Sequence, residues 1–72
     1  MDYILVSLNH GGKTEDLRIP SLTLVEELIS IFNFIYGHSG KSLHAEPRGI
    51  MLDKSKTLAA QGVMQGALLT LN

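Results

Sequence analysis

Two short segments contain the glycine, lysine and hydroxyl residues with which many proteins bind phosphate. Residues 12–14 (Gly-Lys-Thr) and 40–42 (Gly-Lys-Ser) match the last positions of the P-loop, whose backbone amides surround nucleotide phosphates. The complete motif also needs another glycine five residues before the glycine of each segment, and at those positions this chain has Ser7 and Ile35. It further needs a strand before it and a helix after it, but the first segment lies in a predicted hairpin and the second follows a predicted helix. We therefore interpret both segments as turns or loops.

Three histidines, His10, His38 and His44, are the other side chains that could bind a metal ion. No two have the four-residue spacing of an HExxH helix, and the chain contains no cysteine. We therefore expect solvated loop histidines, with no metal and no cofactor. The absence of cysteine also excludes a thiolate nucleophile and a disulfide, and the serines lie in no nucleophile motif. The sequence thus predicts a protein that is not an enzyme.

Composition limits the classes of partner. The chain has 72 residues, 44% of them hydrophobic, and a net charge of -1, so we expect one domain over residues 1–72. Mixed charges near neutrality give no electrostatic surface for nucleic acid or anionic lipid. No apolar stretch reaches the roughly 20 residues of a membrane span, and Asp2 stands where a signal peptide would be basic. We expect a cytoplasmic protein with no nucleic-acid partner and no direct membrane insertion.

The amino-terminal third predicts a β-hairpin. Residues 3–8 are rich in strand-forming side chains that alternate between two faces. Residues 9–13 contain two glycines suited to a tight turn, and residues 16–19 alternate again before Pro20. We expect two antiparallel strands.

A helix should follow. Thr23 and Glu26 have the spacing of a capping box, and Gly37 is suited to a left-handed helix end. Phe34 falls outside the apolar arc of the helix and is expected to be either covered by the following loop or exposed. That arc covers about 160°, wider than the stripe of an ordinary surface helix, and it comprises Leu24, Val25, Leu28, Ile29, Ile31, Phe32, Ile35 and Tyr36.

The carboxy-terminal half predicts shorter elements. Residues 38–47 are interpreted as a loop, and residues 48–52 as a third strand with Ile50 and Leu52 inward and Met51 outward. Residues 57–63 predict one helical turn, and Gly66 opens a final strand whose strand-like residues run from Ala67 to Asn72. The predicted fold class is α+β, with a mixed sheet of four or five strands packed on one α-helix.

The order of elements and two local segments resemble a known family. Residues 57–71 resemble the closing segment of ubiquitin-like domains, and residues 16–20 (Asp-Leu-Arg-Ile-Pro), followed by a capped helix, resemble the YukD and EsaB family. These are small ubiquitin-like proteins of the Gram-positive type VII secretion system. The resemblance implies a ubiquitin-like β-grasp and a cytosolic accessory or regulatory role without catalysis. It also implies a protein partner in the membrane part of the machinery, such as its FtsK/SpoIIIE-like ATPase.

The sequence does not determine how many strands lie at one edge of the sheet. Only four residues separate Leu52 from Thr57, where relatives have an extra short strand, so strand four is either present or lost. If it is lost, the free edge could pair with a second copy of the chain, which makes a homodimer a further candidate assembly.

Two other functions are compatible with this fold. A protein modifier or sulfur carrier needs a flexible Gly-Gly tail, whereas this sequence ends in strand-like residues and Asn72. An accessory subunit of a multicomponent enzyme is not distinguished by any residue of the chain.

Alternation also predicts where a partner would bind. The inward residues are expected to be Ile4, Val6, Leu17, Ile19, Ile50, Leu52, Leu69 and Leu71. The opposite face would then carry Tyr3, Leu5, Met51 and Leu68, which we expect to form one apolar, partner-binding patch.

Overall fold

The computed structural model describes residues 2–72. These residues form five strands and one α-helix. In chain order they are β1 (Tyr3–His10), β2 (Lys13–Pro20), α1 (Val25–Tyr36), β3 (Leu43–Glu46), β4 (Ile50–Met51) and β5 (Ala67–Leu71), with one turn of 3₁₀ helix at Ala59–Gln61. The strands make one sheet in the order β2-β1-β5-β3-β4. Strands β1 and β5 are parallel and the other neighbours antiparallel, so the sheet is mixed and has the predicted β-grasp arrangement.

The predicted hairpin is confirmed. Strands β1 and β2 pair along their whole length, from Tyr3 opposite Pro20 to His10 opposite Lys13. Gly11 and Gly12 form the two-residue turn with φ values of 54° and 80°. Positive φ at both positions is what such a turn requires, and glycine adopts it without steric cost.

The core lies between the helix and one face of the sheet. From the sheet it takes Val6, Leu8, Ile19, Leu43, Leu69 and Leu71, and from the helix Val25, Leu28, Ile29 and Phe32. The connecting segments after β4 and around the 3₁₀ helix add Leu52, Leu58 and Val63 to this core. Ile4 and Leu17 are half-buried against this cluster, which agrees with the predicted inward faces.

Two predictions for the second half were wrong. Residues 38–47 are not all loop, because Leu43–Glu46 forms β3 and pairs with β5. The strand predicted as the third, over residues 48–52, is the fourth in chain order and covers only Ile50–Met51, paired with His44 and Ala45 of β3. Residues 53–56, where the sequence left an extra short strand open, form none. Ile50 was expected inward but is 53% exposed, because nothing covers the end of this two-residue edge strand. Leu52 is buried and Met51 exposed, as predicted.

The helix begins without the predicted capping box. Leu24 occupies the N-cap position, and no side chain caps the first turn. Instead, the amide of Val25 donates to the carbonyl of Lys56 (3.0 Å), and the amide of Glu26 donates to that of Lys54 (3.1 Å). The first amides of a helix need such acceptors, and here the turn before the 3₁₀ helix supplies them.

The apolar arc of α1 is wider than its buried face. Gly37 ends the helix with a φ of 69°, as expected. Ile31 and Ile35 belong to the predicted arc but are 45% and 61% exposed, and Phe34 is 90% exposed. At 100° per residue, Phe34 points away from the buried face of the helix, and Ile31 and Ile35 lie at the margin of that face.

Candidate functional site

All four residues predicted to bind a partner have exposed side chains. The exposed fractions are 47% for Tyr3, 47% for Leu5, 64% for Met51 and 37% for Leu68. Tyr3, Leu5 and Leu68 lie on the sheet face opposite the helix, because their neighbours in β1 and β5 point into the core. Met51 lies on the same face, because strand pairing places it beside His44 and Thr70, and Thr70 points away from the core.

Strand register brings three of the four together. Tyr3 and Leu5 are adjacent on the same face of β1, and Leu68 of β5 lies opposite Ser7, diagonal to Leu5. We call Tyr3, Leu5 and Leu68 the outer patch. Met51 is not part of it, because Met51 lies opposite His44, which in turn lies opposite Thr70 of β5. These two polar residues separate it from the patch.

The outer patch is surrounded by polar and charged side chains. Arg18 of β2 is paired with Leu5, and Glu46 of β3 is paired with Leu68, so one cation and one anion flank the apolar residues. Further along the same face, the Ser7 hydroxyl donates to the Asp16 carboxylate (2.8 Å). An apolar centre with a polar rim is the usual anatomy of a protein-binding surface.

Gln65 fixes the backbone at the edge of the patch. Its side-chain oxygen accepts a hydrogen bond from the Leu5 amide (2.8 Å), and the Gly66 amide donates to the Leu5 carbonyl (2.8 Å). The adjoining Met64 is 72% exposed and adds apolar surface to the turn before β5. Both the amide and the carbonyl of Leu5 are therefore bonded to the turn before β5, which fixes the backbone that carries the Leu5 side chain.

A second apolar surface lies on the helix and was missed in the sequence. Ile31, Phe34 and Ile35 are exposed at i, i+3 and i+4, and we call them the helix ridge. The width of the apolar arc could have predicted this surface, because an arc of about 160° is wider than the face that a helix buries against one sheet.

His10 differs most from its prediction. It was expected to be solvated but is 4% exposed, and its ring stacks on Tyr36 with centroids 4.0 Å apart. Its Nδ1 is 3.0 Å from Nε2 of His38, while its own Nε2 is buried without a hydrogen-bond partner, 3.7 Å from the Glu15 carboxylate. The phase of β1 explains the burial, because His10 shares a face with Val6 and Leu8.

His10 thus forms a cluster with Glu15, Tyr36 and His38, which we call the His10 cluster, and this environment shifts the pKa of the Tyr36 phenol. Burial raises the pKa of Tyr36 above its ordinary value, and the negative charge of Glu15 raises it further. His38 and His44 are half-buried, with His44 Nε2 3.0 Å from the Ser42 hydroxyl. Within residues 2–72, no three His, Asp or Glu side chains are arranged to hold a metal ion.

Neither glycine-lysine segment forms a phosphate loop. Residues 12–14 lie in the hairpin turn and the start of β2. The amides of Lys41 and Ser42 both donate to the carbonyl of Asn72, at 2.5 and 3.0 Å. Gly40 is held on both sides by the Asn33 side chain. These amides are therefore occupied by the chain itself. Within residues 2–72, no helix has both the length and the apolar character that a membrane span needs.

Comparison with known proteins identifies the fold. No protein-family model matches the chain, and no curated protein matches its sequence. The ubiquitin-like domain of an Arabidopsis thaliana protein superposes with a TM-score of 0.80 at 16% identity, covering 100% of this chain and 78% of that one. A second Arabidopsis thaliana protein gives a TM-score of 0.81 at 28% identity, with 96% and 81% covered.

A secretion protein has a similar domain. The ubiquitin-like domain of the type VII secretion protein EccD1 from Mycobacterium tuberculosis gives a TM-score of 0.69 at 19% identity, covering 99% of this chain and 98% of that one. Together these structures show that the chain has the ubiquitin-like β-grasp fold, with a mixed five-stranded sheet and one helix.

Proposed function

We propose that this protein is a non-enzymatic, ubiquitin-like interaction module of a Gram-positive type VII secretion system. In this proposal it is a single cytoplasmic domain of residues 1–72 with an accessory or regulatory role, as in the YukD and EsaB family. The observation that carries the proposal is the outer patch. The resemblance of residues 16–20 to that family and the likeness to the EccD1 domain support the secretion context.

The outer patch suits a docking surface for three reasons. Tyr3 supplies a large side chain with a polar end, a type that is enriched at the centres of interfaces. Leu5 and Leu68 supply adjacent aliphatic surface from two strands whose pairing holds them in place. Arg18 and Glu46 at the rim could set the orientation of a partner that carries the opposite charges.

The proposed partner is a membrane component of the secretion machinery, such as its FtsK/SpoIIIE-like ATPase. The partner would present an apolar surface to Tyr3, Leu5 and Leu68. Met51, which was predicted to belong to the same patch, would make a secondary contact beyond His44 and Thr70.

Affinity capture from membranes of a Gram-positive host with this secretion system tests the proposal. The variants are Leu5→Glu with Leu68→Glu, and Phe34→Glu as a matched control that places an acid on the 90%-exposed side chain of the helix ridge. All three proteins should fold, because the changed side chains are exposed; circular dichroism and urea unfolding check this. We expect wild type and Phe34→Glu to recover the ATPase, and the double variant to lose it.

Three results would contradict the proposal. Capture that survives in the folded double variant would exclude the outer patch, and capture lost only with Phe34→Glu would move the contact to the helix ridge. Recovery of oxygenase subunits in place of secretion components would refute the secretion role itself.

A further inference from the structure

Strand β2 presents a long unpaired edge. It has eight residues and lies at the end of the sheet, with β1 on one side only. The Ser21 amide donates to the Asp2 carbonyl (2.8 Å), which fixes the alternation of the backbone. Residues 15, 17 and 19 therefore direct their amides and carbonyls to β1, while Thr14, Asp16 and Arg18 direct theirs outward. Such an edge is a template for another strand.

The helix adds apolar surface beside this edge. The Asn33 side chain bonds to Gly40, so its flank of α1 faces the loop before β3. At 100° per residue, Ile31 and Ile35 lie on the other flank, on the side of β2. Both are exposed, and Leu17 of β2 is only half-buried beneath them. A strand added to β2 would therefore bury apolar surface on its helix-facing side.

We propose that the strand added here is β2 of a second copy of this chain, antiparallel, with the two Leu17 residues opposite each other. This register places Asp16 of each copy opposite Arg18 of the other. The outward amides and carbonyls of these two residues then bond to each other across the dyad. The Thr14 amide meets the carbonyl of Pro20, whose missing N–H falls at the end of the ladder. The two Leu17 side chains lie together between the flanks of both helices.

Charge selects this register over its neighbours. A shift of one two-residue step places Asp16 opposite Asp16, and a shift in the other direction places Arg18 opposite Arg18. Like charges directly opposite each other destabilise a strand pair, whereas opposite charges stabilise it. Charged residues and a proline usually protect an edge from pairing. In β2, Asp16 and Arg18 flank Leu17, so two antiparallel copies centred on Leu17 place each acid opposite a base. These charges therefore favour pairing with a second copy of the same strand. The inference does not depend on the proposed secretion role.

A charge-exchange experiment on the full chain tests this dimer. Sedimentation velocity from micromolar to millimolar concentration compares wild type, Asp16→Arg, Arg18→Asp and an equimolar mixture of the two variants. Wild type should dimerise reversibly. Each variant alone should dimerise with a Kd about tenfold higher or more, because both symmetric charge pairs become repulsive. The mixture should form a one-to-one heterodimer, because every charge again meets its opposite.

Urea unfolding and amide hydrogen exchange distinguish loss of the dimer contact from loss of folding. Asp16→Arg also removes the bond from Ser7, so urea unfolding must show that each variant is folded. In wild type, amide hydrogen exchange at Thr14, Asp16 and Arg18 should slow as concentration rises, while the amide of Leu17 is already protected by β1. A wild type that stays monomeric at millimolar concentration would overturn the proposal. So would single variants that dimerise like wild type, a mixture that gains nothing, or concentration-dependent protection elsewhere.

Discussion

Replacement of Gln61 by glutamate should destabilise the protein although it changes no side-chain shape. The Gln61 side-chain oxygen accepts from the Asp53 amide (2.6 Å), and its nitrogen donates to the carbonyls of Asp53 (3.0 Å) and Thr57 (3.2 Å). These bonds hold the turn whose Lys54 and Lys56 carbonyls cap α1. Glutamate keeps the acceptor but loses both donated bonds, and its second oxygen then faces two carbonyl oxygens.

The expected decrease in the free energy of unfolding can be estimated from those hydrogen bonds. Each contributes about 0.5–1.5 kcal/mol, and because the site is partly exposed we expect Gln61→Glu to lower the free energy of unfolding by about 1–2 kcal/mol at neutral pH. A protonated carboxyl regains one O–H donor. The two carbonyl oxygens disfavour the charged carboxylate and so raise the pKa of this glutamate in the folded state. The deficit should therefore shrink as pH falls toward about 4, the ordinary glutamate pKa, and stay small below it.

Gln65→Glu is the matched control. It makes the same change of charge, but Gln65 uses only its acceptor oxygen, toward the Leu5 amide. A carboxylate can accept that bond, so we expect a change within about 0.5 kcal/mol, as for most surface substitutions. Urea unfolding followed by circular dichroism at neutral and acid pH measures both variants. Equal losses for the two, or an unaffected Gln61→Glu, would refute the idea that the donated bonds stabilise the turn.

Two further predictions concern the His10 cluster. Gly11→Ala and Gly12→Ala should each lose about 1 kcal/mol to positive φ. Gly11→Ala should lose about 1–3 kcal/mol more, because its methyl group would lie 2.7 Å from the His38 ring whereas that of Gly12 meets nothing; equal urea midpoints would contradict this. Because burial and Glu15 raise the pKa of Tyr36, stability from this residue is complete below about pH 10 and is lost as pH rises through the raised value. Tyr36→Phe should flatten that alkaline decline, and an unchanged slope in alkaline unfolding curves would show that another group causes it.

The elements with strong local signals were predictable, and β3 was not. The hairpin follows from alternation and two glycines, and the helix from its apolar period. Leu43–Glu46 contains no β-branched or aromatic residue and becomes a strand because it pairs with β5. Its partner lies more than twenty residues away, so local propensity carries no information about the pairing.

Side-chain environment was less predictable than secondary structure. The Thr23–Glu26 spacing matches a capping box, but backbone carbonyls from a distant turn already satisfy the first amides. His10 looked like turn chemistry because it precedes two glycines, yet strand phase placed it in the core. Alternation correctly assigned Tyr3, Leu5 and Leu68 to one face, whereas the separation of Met51 depends on β3 register, which alternation does not determine.

The two proposed surfaces are geometrically independent, and that bears on how they would act together. An antiparallel pair of β2 strands has its dyad perpendicular to the sheet, so both helices would lie on one side and both outer patches on the other. A dimer would then present two copies of Tyr3, Leu5 and Leu68 to one partner assembly, and linked sites gain avidity only when the partner spaces its sites to match. Because Arg18 also lies at the rim of the outer patch, Arg18→Asp should weaken one-to-one binding to an isolated partner domain, and it should weaken capture by an oligomeric partner more strongly. Equal losses in the two assays would show that Arg18 acts only at the rim and that the dimer adds no avidity.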